Sequence, residues 1–97
     1  MIEYRSDEGK ITCLFSGRMD TEESTRVGSE LIEKIKGQDL SVVFDLKEVD
    51  YVSSAFLRIC LKVAREMGDD RFSVEHVKPT VKKVFKIAGF DKIMKIE

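Results

Sequence analysis

Residues 40–61, LSVVFDLKEVDYVSSAFLRICL, contain the pattern that decides the fold. Residues 40–46 form a nearly continuous apolar run, which is typical of a central strand of a parallel sheet covered on both faces. The one charge in this run, Asp45, lies near its carboxyl end, where functional sites of α/β folds collect. Residues 54–67 have the periodicity of a helix. We therefore expect a strand and then a helix, with two consecutive serines at the junction.

The predicted helix after this strand has an unusually wide apolar surface. Its polar residues share one narrow strip on a helical wheel, formed by Arg58, Lys62, Arg65 and Glu66. Apolar residues occupy the remaining positions. So broad an apolar surface indicates a largely buried helix packed against the sheet.

The segments before this stretch predict a β-hairpin followed by a helix. Two strands, residues 2–5 and 10–16, flank an Asp-Glu-Gly turn signal. Asp20 or Thr21 can cap the helix that follows, and Glu23 lies at the capping-box position relative to Asp20. Apolar residues then repeat every four positions, as expected for a helix with one buried face.

The segments after this stretch predict one further strand and one further helix. The strand is predicted over residues 71–77, and the helix begins at Pro79, because a proline without an N–H costs nothing in a first helical turn. Gly89 is expected to end this helix, and residues 92–96 alternate like a short terminal strand. The predicted order is ββαβαβα with a tail. This is an α/β fold with a mixed sheet of four or five strands and helices packed against it.

Length and composition predict one globular domain over residues 1–97. The chain is 42% hydrophobic and 36% charged, which is typical of a folded protein. No apolar run approaches the ~18 residues of a spanning helix, and the first residues do not resemble a signal peptide. We therefore expect a cytoplasmic protein that does not contact a membrane.

The charges are balanced overall but unevenly distributed. The net charge of −1 gives no reason to expect direct nucleic-acid binding. Residues 1–50 carry 7 basic and 12 acidic side chains, net −5, whereas residues 51–97 carry 10 basic and 6 acidic ones, net +4. Such asymmetry can steer a partner, although solvated charged faces are the simpler interpretation. The same two interpretations, a solvated face or a docking surface for an acidic partner, apply to Lys78, Lys82, Lys83 and Lys86.

No pattern in the sequence is typical of an enzyme, a metal site or a cofactor site. There is no glycine-rich phosphate loop, HExxH or GxSxG motif. Cys13 and Cys60 fall on apolar faces and are expected to be free and buried. The single histidine, His76, is expected to be structural, and Asp45 to brace the adjacent loop. We predict no catalytic residue, no metal ligand and no cofactor; an enzyme such as a nucleotide hydrolase is kept only as a third hypothesis.

Three stretches resemble motifs of the STAS domain, the fold of bacterial anti-anti-sigma factors, also called anti-sigma factor antagonists. Residues 16–20, SGRMD, are similar to the family's G-x-L-D turn after the second strand. Residues 43–58, VFDLKEVDYVSSAFLR, resemble the family's strand, loop and helix start, which usually ends in D-S-S-G-L or S-S-A-G-L. Residues 77–96, VKPTVKKVFKIAGFDKIMKI, are similar to the closing helix, glycine and following segment. The three occur in the family's order over nearly the whole chain.

The resemblance implies a regulatory function rather than catalysis. In this family the antagonist binds an anti-sigma factor that is also a serine kinase, and binding frees the sigma factor. The kinase phosphorylates one serine at the helix start, which ends the interaction, and a PP2C-type phosphatase restores it. Lining up Leu57 with the family's leucine places Ser54 on that phosphorylated serine. A buried central helix and short strands favour a monomer.

The partner-binding surface that the resemblance implies comprises Asp20, Ser53, Ser54, Ala55, Phe56 and Arg58. Asp20 matches the aspartate of the G-x-L-D turn, whereas Ser53 and Phe56 stand where the family commonly has Asp and Gly. Phe56 either packs in the core or offers an aromatic anchor to a partner. Ser54 is expected to be the N-cap of the helix, where the dipole and free N–H groups would also favour a phosphate.

A second hypothesis assumes the same fold but no phosphorylation of Ser54. The chain would then be a STAS adaptor that is not phosphorylated, for example a subunit of a lipid-transport or signalling complex. Ser54 would only cap the helix, and Phe56 together with the lysine-rich face would supply the contacts.

Overall fold

In the computed structural model the described residues form five strands and three α-helices around one sheet. The structure describes the backbone of all 97 residues and every side chain except that of Asp69. The elements are β1 (Ile2–Asp7), β2 (Lys10–Met19), α1 (Thr21–Ile35), β3 (Ser41–Val52), α2 (Ser54–Met67), β4 (Phe72–Glu75), α3 (Pro79–Ile87) and β5 (Lys95–Ile96), with 3₁₀ turns at Asp69–Arg71 and Phe90–Lys92. The predicted α/β class and the order ββαβαβα are confirmed. No described helix is both long enough and apolar enough to cross a membrane.

The strands follow one another across the sheet in chain order. β1 is antiparallel to β2, and each later strand is parallel to its neighbour. Every connection between two parallel strands therefore crosses the sheet in the same direction. Because such connections are right-handed, all the helices within them lie on one face of the sheet. Consistent with this, buried residues of α1, α2 and α3 belong to the same hydrophobic core cluster.

The central strand β3 is covered completely on only one face. Its core-facing side chains before the first irregularity are the fully buried Val42, Phe44 and Leu46. The alternate positions carry Ser41, Val43, Asp45 and Lys47, of which only Val43 is buried. The expectation that this strand is covered on both faces is therefore wrong, because the three crossover helices all lie on the same side.

Two β-bulges make β3 longer than its sequence pattern indicates. The pairing of β2 with β3 shifts at two places, and each time β3 contributes one extra residue. Each extra residue reverses which positions of β3 face the core. The core-facing residues are even-numbered up to Leu46, odd-numbered at Val49 after the first bulge, and even-numbered again at Val52 after the second. The strand was predicted to end at residue 46 because these bulges interrupt its alternation. β2 likewise continues past the predicted end at Ser16, as far as Met19.

The last two strands, β4 and β5, are shorter than predicted, whereas α3 begins where the sequence predicts. β4 ends at Glu75, because the backbone of His76 adopts a positive φ of 56° that a strand does not accommodate. The predicted strand over 71–77 is therefore too long at both ends. α3 begins at Pro79 as predicted, and Gly89 follows it in the left-handed conformation.

Candidate partner-binding site

Helices α1 and α2 begin side by side, joined through one backbone carbonyl. The carbonyl oxygen of Met19 accepts a hydrogen bond from the Ser53 amide at 2.9 Å and another from the Ser24 hydroxyl at 3.1 Å. The Ser24 and Ser53 hydroxyl oxygens are 3.4 Å apart. A hydroxyl has one proton, and that of Ser24 is given to Met19, so Ser53 donates to Ser24. This buried network fixes the start of one helix against the start of the other.

The N-cap of α2 is Ser53. Its backbone is extended, and its hydroxyl accepts from the amide of Phe56 at 3.3 Å. The expectation that Ser54 is the N-cap is therefore wrong by one residue. β3 continues through Val52, so Ser53 is the single residue between strand and helix and keeps the extended conformation that a cap requires.

Ser54 is the first residue of α2, and its side chain is exposed. The amides of a first helical turn have no acceptor within the helix, so this end carries a partial positive charge. The first turn of α2 contains no acidic residue, unlike that of α1, which contains Glu22 and Glu23. Ser54 therefore presents a free hydroxyl at an electropositive helix end that no carboxylate of that turn neutralises.

Asp20 is the N-cap of α1, as predicted. Its Oδ1 accepts from the amide of Glu23 at 2.9 Å. Glu23 turns away from the reciprocal capping-box bond and pairs with Arg26, whose hydrogen bonds lower the pKa of Glu23 to about 2 together with those of the chain's amino group. Asp20 is exposed and follows Met19 directly, so its carboxylate lies on the same side of the molecule as the start of α2.

Phe56 is a core residue. It is fully buried, with its ring centroid 5.1 Å from that of Phe15 and 6.0 Å from that of Phe44. Of the two alternatives left open for Phe56, this burial agrees with packing in the core and contradicts an exposed aromatic anchor for a partner. The phenyl group replaces the family's glycine without adding to the exposed surface, because it points toward the sheet. The neighbouring Ala55 is only 7% exposed.

Arg58 is exposed on α2, one turn after Ser54. Lys62, Arg65 and Glu66 are exposed as well, so the polar strip predicted for this helix is confirmed. The apolar arc is less completely buried than predicted, because Leu57, Ile59, Leu61 and Met67 remain half-buried.

Two residues near the site were missed by sequence reasoning. Ser24 was detectable, because it is a polar residue within the buried stripe of α1. Tyr51 is 41% exposed, and the guanidinium carbon of Arg18 lies 4.3 Å from its ring centroid. The sequence gives no signal for Tyr51, because the second bulge of β3 changes which residues face the core.

Asp45 and His76 lie at the carboxyl end of the parallel pairing between β3 and β4. Asp45 Oδ1 accepts from the amide of Lys47 at 3.0 Å, across the first bulge of β3, and Asp45 Oδ2 is 3.2 Å from His76 Nδ1. These contacts agree with the bracing and structural roles expected of the two residues. Among the described side chains no group of three or more His, Cys, Asp or Glu is placed to hold a metal ion.

A family model described as "Mlab, STAS domain" matches residues 3–96. The chain belongs to the STAS domain family. Within curated proteins, this STAS domain is similar to BtrV of Bordetella bronchiseptica, described as an anti-sigma factor antagonist. The two are 31% identical over 85 residues, which cover 86% of this chain and 73% of BtrV. The resemblance found in the three sequence motifs is thereby confirmed.

Solved structures of other proteins have the same fold. An anti-sigma factor antagonist from Mycobacterium paratuberculosis has a TM-score of 0.86 at 19% identity, covering 99% of this chain and 83% of that one. SpoIIAA in its unphosphorylated form has a TM-score of 0.84 at 16% identity, covering 100% of this chain and 88% of that one. The phosphorylated form of Bacillus SpoIIAA gives 0.76 at 16% identity, covering 100% and 91%. At these identities the likeness establishes the fold and nothing further.

Proposed function

We propose that this STAS domain is an anti-sigma factor antagonist that is switched by phosphorylation of Ser54. It binds an anti-sigma factor that is also a serine kinase, and thereby releases a sigma factor. The observation that carries the proposal is the exposed hydroxyl of Ser54 at the start of α2, aligned with the family's phosphorylated serine. The neighbouring Ser53 is 6% exposed and committed to four hydrogen bonds, so Ser54 is the one of these two serines that a kinase can reach.

The covalent step is a transfer of the γ-phosphoryl group of ATP to Ser54 Oγ. An oxygen–phosphorus bond forms, the bond to the β-phosphate oxygen breaks, ADP leaves, and the hydroxyl proton passes to the kinase. A PP2C-type phosphatase reverses the state with water and releases inorganic phosphate. The phosphate adds a charge of about −1.5 to −2 beside unpaired helix amides. The domain therefore stays folded while its binding surface, which includes Asp20, becomes more negative.

The test uses the anti-sigma factor kinase encoded in the same genome, with ATP. We expect mass spectrometry to find one phosphate, on Ser54, and none in Ser54→Ala. Ser54→Ala should bind the kinase as the wild type does, and Ser54→Asp about tenfold or more weakly, because like charges across an interface repel. Ser6→Ala, in the exposed part of β1, is the control that should remain a substrate. Wild-type binding by both Ser54 variants would refute the switch.

A second candidate is a STAS adaptor that is never phosphorylated, within a lipid-transport or signalling complex. Ser53, which stands in place of the aspartate common in the family, favours it. It predicts a stable complex whose affinity is the same for wild type and Ser54→Asp. Under either proposal residues 1–97 act as one cytoplasmic, monomeric binding domain without catalytic activity.

A further inference from the structure

We propose that the groove between α1 and α2 receives an acidic helix of the protein partner, and that a phosphate on Ser54 competes with this helix for Arg58. The inference rests on the proposed function, because it names the kind of segment that the switched surface binds. Four features of the groove support it: its length, its apolar floor, its unpaired cations and its position relative to Ser54.

The groove has a volume of about 660 Å³ and begins where the two helices are joined. Ser24 and Ala55 line that end, and Glu33 and Arg65 line the other. From residue 55 to residue 65 a helix rises by roughly 15 Å, at about 1.5 Å per residue. A guest helix of about three turns fits this length, and apolar grooves between helices are a recurrent binding site for such helices.

The floor of the groove is apolar and remains partly open to solvent. Gly28 of α1 is buried, and a Cβ at this position would lie 2.6 Å from Cδ1 of Ile59. The glycine therefore lets Ile59 of α2 lie directly against the α1 backbone. Ile59, Ile32 and Leu61 line the groove while only half-buried, so a guest helix gains hydrophobic contact by covering them.

The rim that α2 supplies is cationic. Arg58, Lys62 and Arg65 follow the spacing i, i+4, i+7, and all three are exposed. None of them forms an ion pair with a described carboxylate, whereas Arg26, Arg71 and Lys78 each do.

The rim that α1 supplies is nearly uncharged. It presents Thr25 and Ser29, with Glu33 as the one acidic lining residue. The three cations and one carboxylate that line the groove give it a net charge of +2. A helix with acidic residues at i, i+4 and i+7 beside an apolar stripe complements this charge and this floor, whereas a basic helix is repelled.

The position of Arg58 connects the groove to the switch. Ser54 and Arg58 are four residues apart on α2, so their Cβ atoms are about 5–6 Å apart on one helix face. A phosphoserine at position 54 brings oxygen acceptors that a guanidinium binds in bidentate fashion. Phosphorylation then occupies the first of the three cations and adds negative charge at the entrance of the groove. An acidic guest helix loses a partner and gains a repulsive neighbour.

The first experiment measures binding of the kinase encoded in the same genome. Arg65→Glu changes the far end of the groove, eleven residues from Ser54, and should weaken binding about tenfold with an unchanged circular dichroism spectrum. Lys86→Glu, an exposed cation on α3, is the matched control and should change binding less than about twofold. Equal effects of the two variants, or none from Arg65→Glu, would overturn the groove as the docking site.

The second experiment needs no natural partner. ¹⁵N-labelled protein is titrated with a synthetic amphipathic helix that has leucines on one face and glutamates on the other, and with its lysine counterpart. We expect the glutamate peptide to shift amide resonances on both groove walls and the lysine peptide to shift none. Shifts confined to the lysines of α3, or equal binding of both peptides, would refute the proposal.

Competition for Arg58 is tested with the same peptide. Ser54→Asp should weaken its binding about fivefold in the wild type but less than twofold in an Arg58→Gln background, since the two residues are coupled. Equal weakening in both backgrounds would refute the competition. If the peptide binds in the groove and the kinase does not bind the wild type, the proposed function fails and the groove stands. If the kinase binds the wild type and the peptide does not bind in the groove, the groove is refuted as the docking site and the proposed function stands.

Discussion

Two adjacent serines of the same chemical type differ completely in environment. The hydroxyl of Ser53 caps α2 and donates to Ser24, which in turn donates to the Met19 carbonyl. Ser54 makes no such contact and faces solvent. The difference arises from a single step along the backbone, from the extended conformation at the N-cap to the helical one after it.

Replacement of each serine by alanine should separate these roles. Ser53→Ala removes the cap of α2 and leaves Ser24 without its donor, so we expect a loss of about 1–2 kcal/mol in the free energy of unfolding. Ser54→Ala removes no hydrogen bond and should change that free energy by less than about 0.5 kcal/mol. Urea unfolding followed by circular dichroism measures both. A loss of similar size in the two variants would contradict the assignment of the cap.

The two cysteines provide a second prediction at this scale. Burial raises the pKa of the Cys13 thiol to about 12 and also raises that of Cys60. Both thiols therefore stay protonated at pH 8, and a thiol reagent such as DTNB should react with neither until the protein is unfolded. Between pH 9 and 12 the unfolded state loses thiol protons that the native state keeps. The free energy of unfolding should therefore fall as the pH rises through this range. Rapid modification of the native protein at pH 8 would contradict the burial.

The individual elements were predicted well wherever one periodicity persists. α2 has one helical pattern throughout, and both its bounds and its polar strip follow from the sequence. β3 changes phase twice because of its bulges, so neither its length nor the exposure of Tyr51 could be read from alternation. The cap was predicted at Ser54 rather than Ser53, because either serine of the pair can cap a helix that begins here. Phe56 was left undecided because a helical wheel gives the direction of a side chain, not the depth of the space it enters.

The close contact of α1 with α2 leads to a prediction about these two helices. Gly28→Ala adds a Cβ that Ile59 must move away from, although alanine favours a helix by roughly 1 kcal/mol over glycine. The two effects oppose each other, so stability should change by less than about 1 kcal/mol. Ile59 should be displaced into the groove, which weakens binding of the glutamate peptide about threefold or more.

A second substitution provides the control for this displacement. Ile59→Val removes the Cδ1 atom that the new Cβ would meet, so Gly28→Ala with Ile59→Val should recover most of the binding. Wild-type affinity in Gly28→Ala alone, measured by fluorescence anisotropy of the labelled peptide, would show that Ile59 does not line the bound groove.

At the scale of the whole molecule, the site occupies one end of a rigid arrangement. All three crossover helices pack on one face of the sheet, and the network at Met19 joins the starts of α1 and α2. Ser54 is exposed, whereas Phe56, two residues further along α2, is fully buried in the core. A charge added at Ser54 therefore meets solvent and helix amides outside a packed core, and it has no buried group to displace.

This arrangement predicts that Ser54→Asp changes stability and binding in opposite directions. A carboxylate in the first turn of α2 interacts favourably with the helix dipole, by about 0.3–1 kcal/mol. For a chain of this size the melting temperature should rise by roughly 1–6 °C. Binding of the kinase and of the glutamate peptide should fall in the same variant. Ser54→Lys has the reverse charge and should lower the melting temperature. If Ser54→Asp instead melts earlier than the wild type, its lost binding would reflect damage to the fold rather than a change of surface charge.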